Sequence, residues 1–104
     1  MNKKKKALLV VAHGSRKKVS NIEIHQLANN ILLKSQVFDV VEACFLEIAT
    51  PSISDGITSC IEKNASEILI MPYFLAAGMH VIEDIPGIVD KERLKHKGVI
   101  IKSL

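Results

Sequence analysis

The chain has 104 residues, 48% of them hydrophobic and 24% charged, with a formal net charge of +3. That length and balance fit one globular domain spanning 1–104, and no apolar stretch approaches the roughly 18–20 residues of a membrane span. The two cysteines, Cys44 and Cys60, form neither a CxxC pair nor a zinc framework, so both read as small buried hydrophobes.

Lys3 to Lys6 carry much of the net charge and read as a solvated tail. The apolar run after them is about five residues, too short for a signal peptide, so a cytoplasmic location is expected. "LLVVAHGS", Leu8 to Ser15, reads as a buried strand that ends on His13 and Gly14. "SNIE", Ser20 to Glu23, fits a capping box with Ser20 as N-cap. Ile24, Leu27, Ala28 and Ile31 follow at helical spacing and predict a helix to about Leu33. Val37 to Ile48 is β-branched and aromatic-rich and predicts the second strand. Thr50 and Pro51 read as the N-cap and first residue of a helix, with Ile53, Ile57, Cys60 and Ile61 on one face and Asn64 as its stop. Glu67 to Gly78 predicts the third strand and a loop. Pro72 belongs near that strand's carboxyl end, because a central strand cannot spare an N–H. Pro86 is expected to split the next segment into a helical turn and a second helix ending near Leu94. "GVIIKSL", Gly98 to Leu104, supplies the fourth strand. The βαβαβαβ alternation implies a parallel sheet covered by helices.

Open parallel sheets bind ligands at the carboxyl ends of their strands. Three groups able to hold a metal fall at such ends: His13 after the first strand, Glu47 at the end of the second, His80 after the third. Each has an ordinary reading, since a lone histidine at a strand end usually makes a turn hydrogen bond. Together they form a histidine–carboxylate–histidine set that can hold a divalent transition metal and leave positions open. Glu42 competes with Glu47, but strand alternation puts the two on opposite faces, and Glu47 lies nearer the edge. His25 is expected to be exposed within the first helix, and His96 to lie on the surface near a helix C-terminus. Ser15 lacks a GxSxG elbow and reads as a cap or turn residue. Glu83 and Asp84 favour the N-terminus of a helix after Pro86. Four aromatic residues and no recognised motif argue against nucleic-acid binding.

"VVAHGSR" (Val10 to Arg16), "FLEIATPSI" (Phe45 to Ile53) and "GMHVIEDIP" (Gly78 to Pro86) occur in order along nearly the whole chain. In these motifs the chain resembles the small sirohydrochlorin chelatases, short members of the class II chelatase group that includes cobaltochelatases and ferrochelatases. The resemblance implies ATP-independent insertion of Co2+, Fe2+ or Ni2+ into sirohydrochlorin, in cobalamin, siroheme or related tetrapyrrole synthesis. It implies that His13 and His80 bind the metal and that Glu47 is the acidic residue of the pocket, the three forming the catalytic set. The metal is then a substrate, and no tightly bound cofactor is expected. The implied fold is a flavodoxin-like, chelatase-like α/β domain with four parallel strands and helices on both faces. The implied partners are the anionic tetrapyrrole and a second copy in a homodimer, with neither nucleic acid nor membrane. Small members continue past the fourth strand with a last helix. This chain stops at Leu104, so that C-terminal helix is expected to be missing and apolar surface to be exposed.

Arg16, Lys17 and Lys18 are candidates for drawing in substrate carboxylates, and Phe74 to Gly78, "FLAAG", is a small apolar loop on which a flat macrocycle can lie. Two rival readings differ in class. Histidine phosphatases carry an arginine just before the nucleophilic histidine; here that position is Ala12, which argues against phosphate chemistry. A non-catalytic metal- or tetrapyrrole-binding module would bind stoichiometrically without turnover.

Overall fold

A computed structural model of the chain describes residues 4–73 and 79–104, with side-chain surroundings from residue 83 onward in the second stretch. The elements alternate as β1 (Lys5–Ala12), α1 (Lys18–Lys34), β2 (Val40–Phe45), α2 (Ile53–Glu62), β3 (Ala65–Pro72), α3 (Met79–Lys95) and β4 (Ile100–Ser103). The strands form one sheet in the order β2-β1-β3-β4, and every pairing is parallel. This is the expected flavodoxin-like arrangement. Among the described residues, no helix is long and apolar enough to cross a membrane.

The unbroken apolar run of β1 follows from its central place. Leu9, Val10 and Val11 are fully buried because helices cover both faces of the sheet. On one face Leu9, Val11, Cys44, Ile68, Ile70 and Ile101 pack with Ile53, Ile57 and Cys60 of α2 and Ile85 and Val89 of α3. On the other, Leu8, Val10, Val41 and Ala43 pack with Ile24, Leu27, Ala28 and Ile31 of α1. α1 covers β1 and β2; farther along that face Leu69 and Met71 are half-buried and Ile100 is exposed.

Several local expectations are corrected. Lys5 and Lys6 are strand residues rather than tail: the Lys6 carbonyl accepts from Asp39 N–H at 2.9 Å, and Lys6 N–H donates to Asp39 Oδ2 at 3.1 Å. α1 starts at Lys18 with Lys17 at the N-cap position, so Ser20 is inside the helix. The start is displaced because Ser15 Oγ accepts from Lys17 N–H, while the Asn21 amide both accepts from Ser15 N–H and donates to its carbonyl. Ser15 is thus the turn residue the sequence implied. β2 is shorter than Val37–Ile48, and α2 is capped by Ser52, whose hydroxyl accepts from Asp55 N–H, not by Thr50. Both changes have one cause: the Phe45 N–H donates to the Pro51 carbonyl at 2.9 Å, which ends the strand and keeps Pro51 out of the helix. Asn64 does end α2, at φ +71°. Pro72 is the last residue of β3, as its missing N–H requires.

α3 is one helix with Pro86 inside it, not two. Proline in a helix interior costs about 3 kcal/mol. Burial of Ile85 and Val89 offsets it at roughly 1.5–3 kcal/mol per large apolar side chain. Glu83 and Asp84 therefore lie within this helix and not at the start of a later one.

Candidate functional site

The parallel ladder between β1 and β2 continues past both strand ends. Leu46 N–H donates to the Ala12 carbonyl at 2.9 Å, and Glu47 N–H to the His13 carbonyl at 3.0 Å. The two segments therefore leave the sheet side by side, and their side chains meet. His13 Nε2 lies 2.7 Å from Glu47 Oε1. The side chains are 44% and 60% exposed, so their pairing contributes no more than about 1 kcal/mol to stability. The backbone, not the side-chain contact, sets this geometry, and the two groups are open to an incoming ligand.

Gly14 is what lets the segments approach. Its φ of +104° suits glycine alone, and a Cβ on it would overlap the Glu47 carbonyl oxygen and lie 3.1 Å from the carbonyl carbon. Glu47 itself is fixed through its carbonyl, which accepts from Ala49 N–H at 2.8 Å. Between them Ile48 takes φ +73°, a conformation that strains a β-branched residue. Strain stored beside an exposed carboxylate is a common feature of working sites.

Two ligand atoms on one transition-metal ion, each at about 2.1 Å and 90–110° apart, sit about 3.0–3.4 Å from one another. His13 Nε2 and Glu47 Oε1 need to separate by only a few tenths of an ångström to reach that spacing. His80 falls in the first turn of α3, after β3. β3 neighbours β1, and Tyr73 N–H donates to the Val11 carbonyl at 2.7 Å. His80 thus follows the strand that neighbours β1; its ring lies outside the described side chains. Among the described residues, no three metal-ligating side chains converge. Phe74 to Gly78 lie outside the described residues.

The competing carboxylate is committed elsewhere. Glu42 accepts from Ser59 Oγ at 2.9 and 3.0 Å and pairs with Lys63 Nζ at 2.9 Å. It ties β2 to α2. His25 is exposed, its ring edge-on to Phe45 of β2 with centroids 5.5 Å apart. His96 follows α3, half-buried, 3.6 Å from Glu92 Oε1. Arg16, Lys17 and Lys18 are exposed. Cys44 and Cys60 are fully buried, and burial pushes both thiols up, Cys60 to about 12. Such thiols are poor metal ligands and poor nucleophiles.

One feature on this side of the molecule is not signalled by any sequence motif. A cleft of about 350 Å³ opens beside Glu47, lined by Leu46 and Glu47 from the loop after β2 and by Asp84, Gly87, Ile88 and Lys91 of α3. The spacing of the α3 residues is that of one helix face.

The CbiX family model matches residues 7–104. The sirohydrochlorin cobaltochelatase of Methanocaldococcus jannaschii is 35% identical over 83 residues, which are 80% of this chain and 57% of that protein. The sirohydrochlorin ferrochelatase of Priestia megaterium is 37% identical over 89 residues, 82% of this chain and 32% of that protein. The chain spans about half the length of the curated relatives it matches. Among solved structures, the sirohydrochlorin chelatase SirB of Bacillus subtilis subspecies spizizenii in complex with cobalt superposes with a TM-score of 0.84 at 28% identity. It covers 95% of this chain and 42% of that one.

Proposed function

The chain belongs to the CbiX family, and from that premise we propose that it inserts a divalent metal, Co2+, Fe2+ or Ni2+, into sirohydrochlorin without ATP. The observation that carries the reading is the 2.7 Å contact between His13 Nε2 and Glu47 Oε1 just past the carboxyl ends of β1 and β2; His80, in the first turn of α3, joins them in this reading. His13, His80 and Glu47 are the metal-binding and catalytic set in this proposal. The metal is substrate and no cofactor is required.

The reaction exchanges two pyrrole N–H protons for one divalent ion, so the site must strip water from the metal, present it and take up protons. Neutral imidazoles bind borderline metals without adding negative charge. Glu47 either completes the shell or accepts a pyrrole proton. Its exposure gives that proton a route to water. Two or three protein ligands leave a shell loose enough to release the ion into the ring, whose four nitrogens bind it more tightly.

The partner in this reading is the polyanionic tetrapyrrole. Action as a homodimer in the cytoplasm is part of the same proposal. Exposed Ile100 beside half-buried Leu69 and Met71 supports association through the β3–β4 part of the α1 face, which no helix covers among the described residues, and light scattering at micromolar concentration tests it.

The deciding experiment is anaerobic insertion of each ion into sirohydrochlorin, followed by the absorbance of the macrocycle. Turnover is expected in the parent chain. His13→Ala and His80→Ala should each lose most of it while keeping the far-UV circular dichroism of the parent. Full activity in both variants rejects the proposed ligands. Stoichiometric binding without turnover rejects the enzyme in favour of a binding module.

A further inference from the structure

α3 spends two of its central positions on Pro86 and Gly87, the two poorest helix formers. Pro86 is accommodated by packing on the other side of the helix. Gly87 has no such explanation. It sits in ordinary helical backbone, and a Cβ added there meets no atom within 4 Å among the described residues. Among the described residues, neither a turn nor a tight packing contact calls for glycine. A bare backbone on a surface leaves room for the close approach of a ligand.

The surroundings say what kind of ligand. Gly87 lies in the middle of the cleft wall that runs from Asp84 to Lys91, facing Leu46 and Glu47. Leu46 and Ile88, half-buried against the core, give the cleft an apolar patch between the charged side chains of Glu47, Asp84 and Lys91. At one end, Lys91 makes no ion pair among the described residues, whereas its neighbours do: Arg93 with Asp90 and Lys95 with Glu92. At the other end Asp84 repels anions. The volume is at the lower end of the roughly 300–1,000 Å³ of small-molecule sites, enough for one edge of a large flat molecule.

Building on the chelatase reading above, we propose that the Gly87 face of α3 is the bed for one edge of the tetrapyrrole. The flat ring lies over Gly87, Ile88 and Leu46. One peripheral carboxylate pairs with Lys91, and the nitrogen centre turns toward Glu47. Asp84 sets the orientation by excluding a carboxylate from its end. Gly87 and Lys91 are then specificity residues: they hold substrate and take no part in proton or metal transfer.

The test uses Gly87→Leu, Lys91→Glu and Lys91→Arg, with KM and kcat from the insertion assay. Kd for metal-free sirohydrochlorin comes from its fluorescence, and Tm is recorded for each chain. Gly87→Leu is expected to raise KM and Kd about 10-fold or more with a Tm no lower than the parent's, because leucine is the better helix former. Lys91→Glu is expected to raise both about 10-fold, with the difference shrinking as salt is added. Lys91→Arg should stay within about threefold of the parent. kcat at saturation should change little in all three. If Gly87→Leu does not fold, Lys91→Glu, a change at an exposed side chain, decides alone. A parent chain that turns over while Lys91→Glu and any folded Gly87→Leu keep KM and Kd within twofold overturns the bed and leaves the chelatase reading standing. A parent chain that neither binds nor metallates sirohydrochlorin overturns both.

Discussion

Replacing Gly14 by alanine tests how the site is built, because the side chain it adds is a single methyl group. The residue sits at φ +104°, where a non-glycine backbone costs about 1–3 kcal/mol. The new Cβ would also overlap the Glu47 carbonyl oxygen, a backbone atom that cannot turn away as a side chain would. Relief requires the two segments to part, which breaks the bonds from Leu46 N–H to Ala12 and from Glu47 N–H to His13, each contributing about 1 kcal/mol. The total is about 3–5 kcal/mol, a large part of the 5–15 kcal/mol that stabilises a typical domain. At about 5 °C per kcal/mol for a chain of this size, Tm should fall by about 15–25 °C if the whole domain bears the cost. If the loop yields locally, Tm falls less, but His13 and Glu47 move apart and insertion is lost. Thermal unfolding by circular dichroism and the anaerobic insertion assay, run on the same preparation, cover both routes. A Gly14→Ala chain that melts within about 2 °C of the parent and keeps full activity would refute the argument that this glycine sets the spacing of the two ligands.

The two carboxylates of the second strand region should separate cleanly. Glu42→Gln loses the charge facing Lys63 while keeping an acceptor for Ser59, so it should lower stability by no more than about 1 kcal/mol in urea unfolding and leave insertion unchanged. Glu47→Gln should leave Tm within a few degrees of the parent, since its contact with His13 is exposed, yet lower kcat about 10²-fold or more. The buried thiols predict an alkaline weakness. Burial first, then the Glu42 carboxylate, raises Cys60 to about 12, with Lys63 opposing. Cys44 is raised by burial, then by Cys60 and Glu42. The native state thus keeps protons that the unfolded chain releases above the ordinary value of 9.0. Their contribution is fully present below about pH 9 and is lost above it, by about 1.4 kcal/mol per pH unit for each thiol. Urea midpoints between pH 9 and 11 should therefore fall more steeply for the parent than for a Cys44→Ala/Cys60→Ala chain, and equal slopes reject the account.

The strands were legible because each carries its own signal. The run from Leu8 to Ala12 is apolar at every position, which only a strand buried on both faces needs, and Pro72 could sit only at a strand end. What misled were local rules overridden by distant contacts. Ser20 and Glu23 match a capping box, but the clasp of Asn21 on Ser15 starts the helix earlier. Leu46 and Ile48 look like a continuing strand, but the Pro51 carbonyl has taken the Phe45 N–H and Ile48 has turned left-handed. Pro86 reads as a break until Ile85 and Val89 are seen buried on the sheet. In each case a contact that no short window contains outweighs a preference of a few kcal/mol at most.

The site divides along the same line. His13 and Glu47 are 34 residues apart, and no motif of fixed spacing joins them. They could still be paired from sequence, because parallel strands bring all their carboxyl ends to one edge and the choice then lay only between Glu42 and Glu47. The cleft wall offered no such rule. Asp84, Gly87, Ile88 and Lys91 lie within a stretch whose charges look merely solvated and whose glycine looks merely weak. Only the placement of α3 against Leu46 and Glu47 shows that the bare backbone of Gly87 and the Lys91 ammonium face the same space. Chemistry that needs a particular atom at a strand end leaves a residue type the sequence can display. A surface that needs a missing side chain leaves a gap, and a gap acquires meaning only from what stands on its other side.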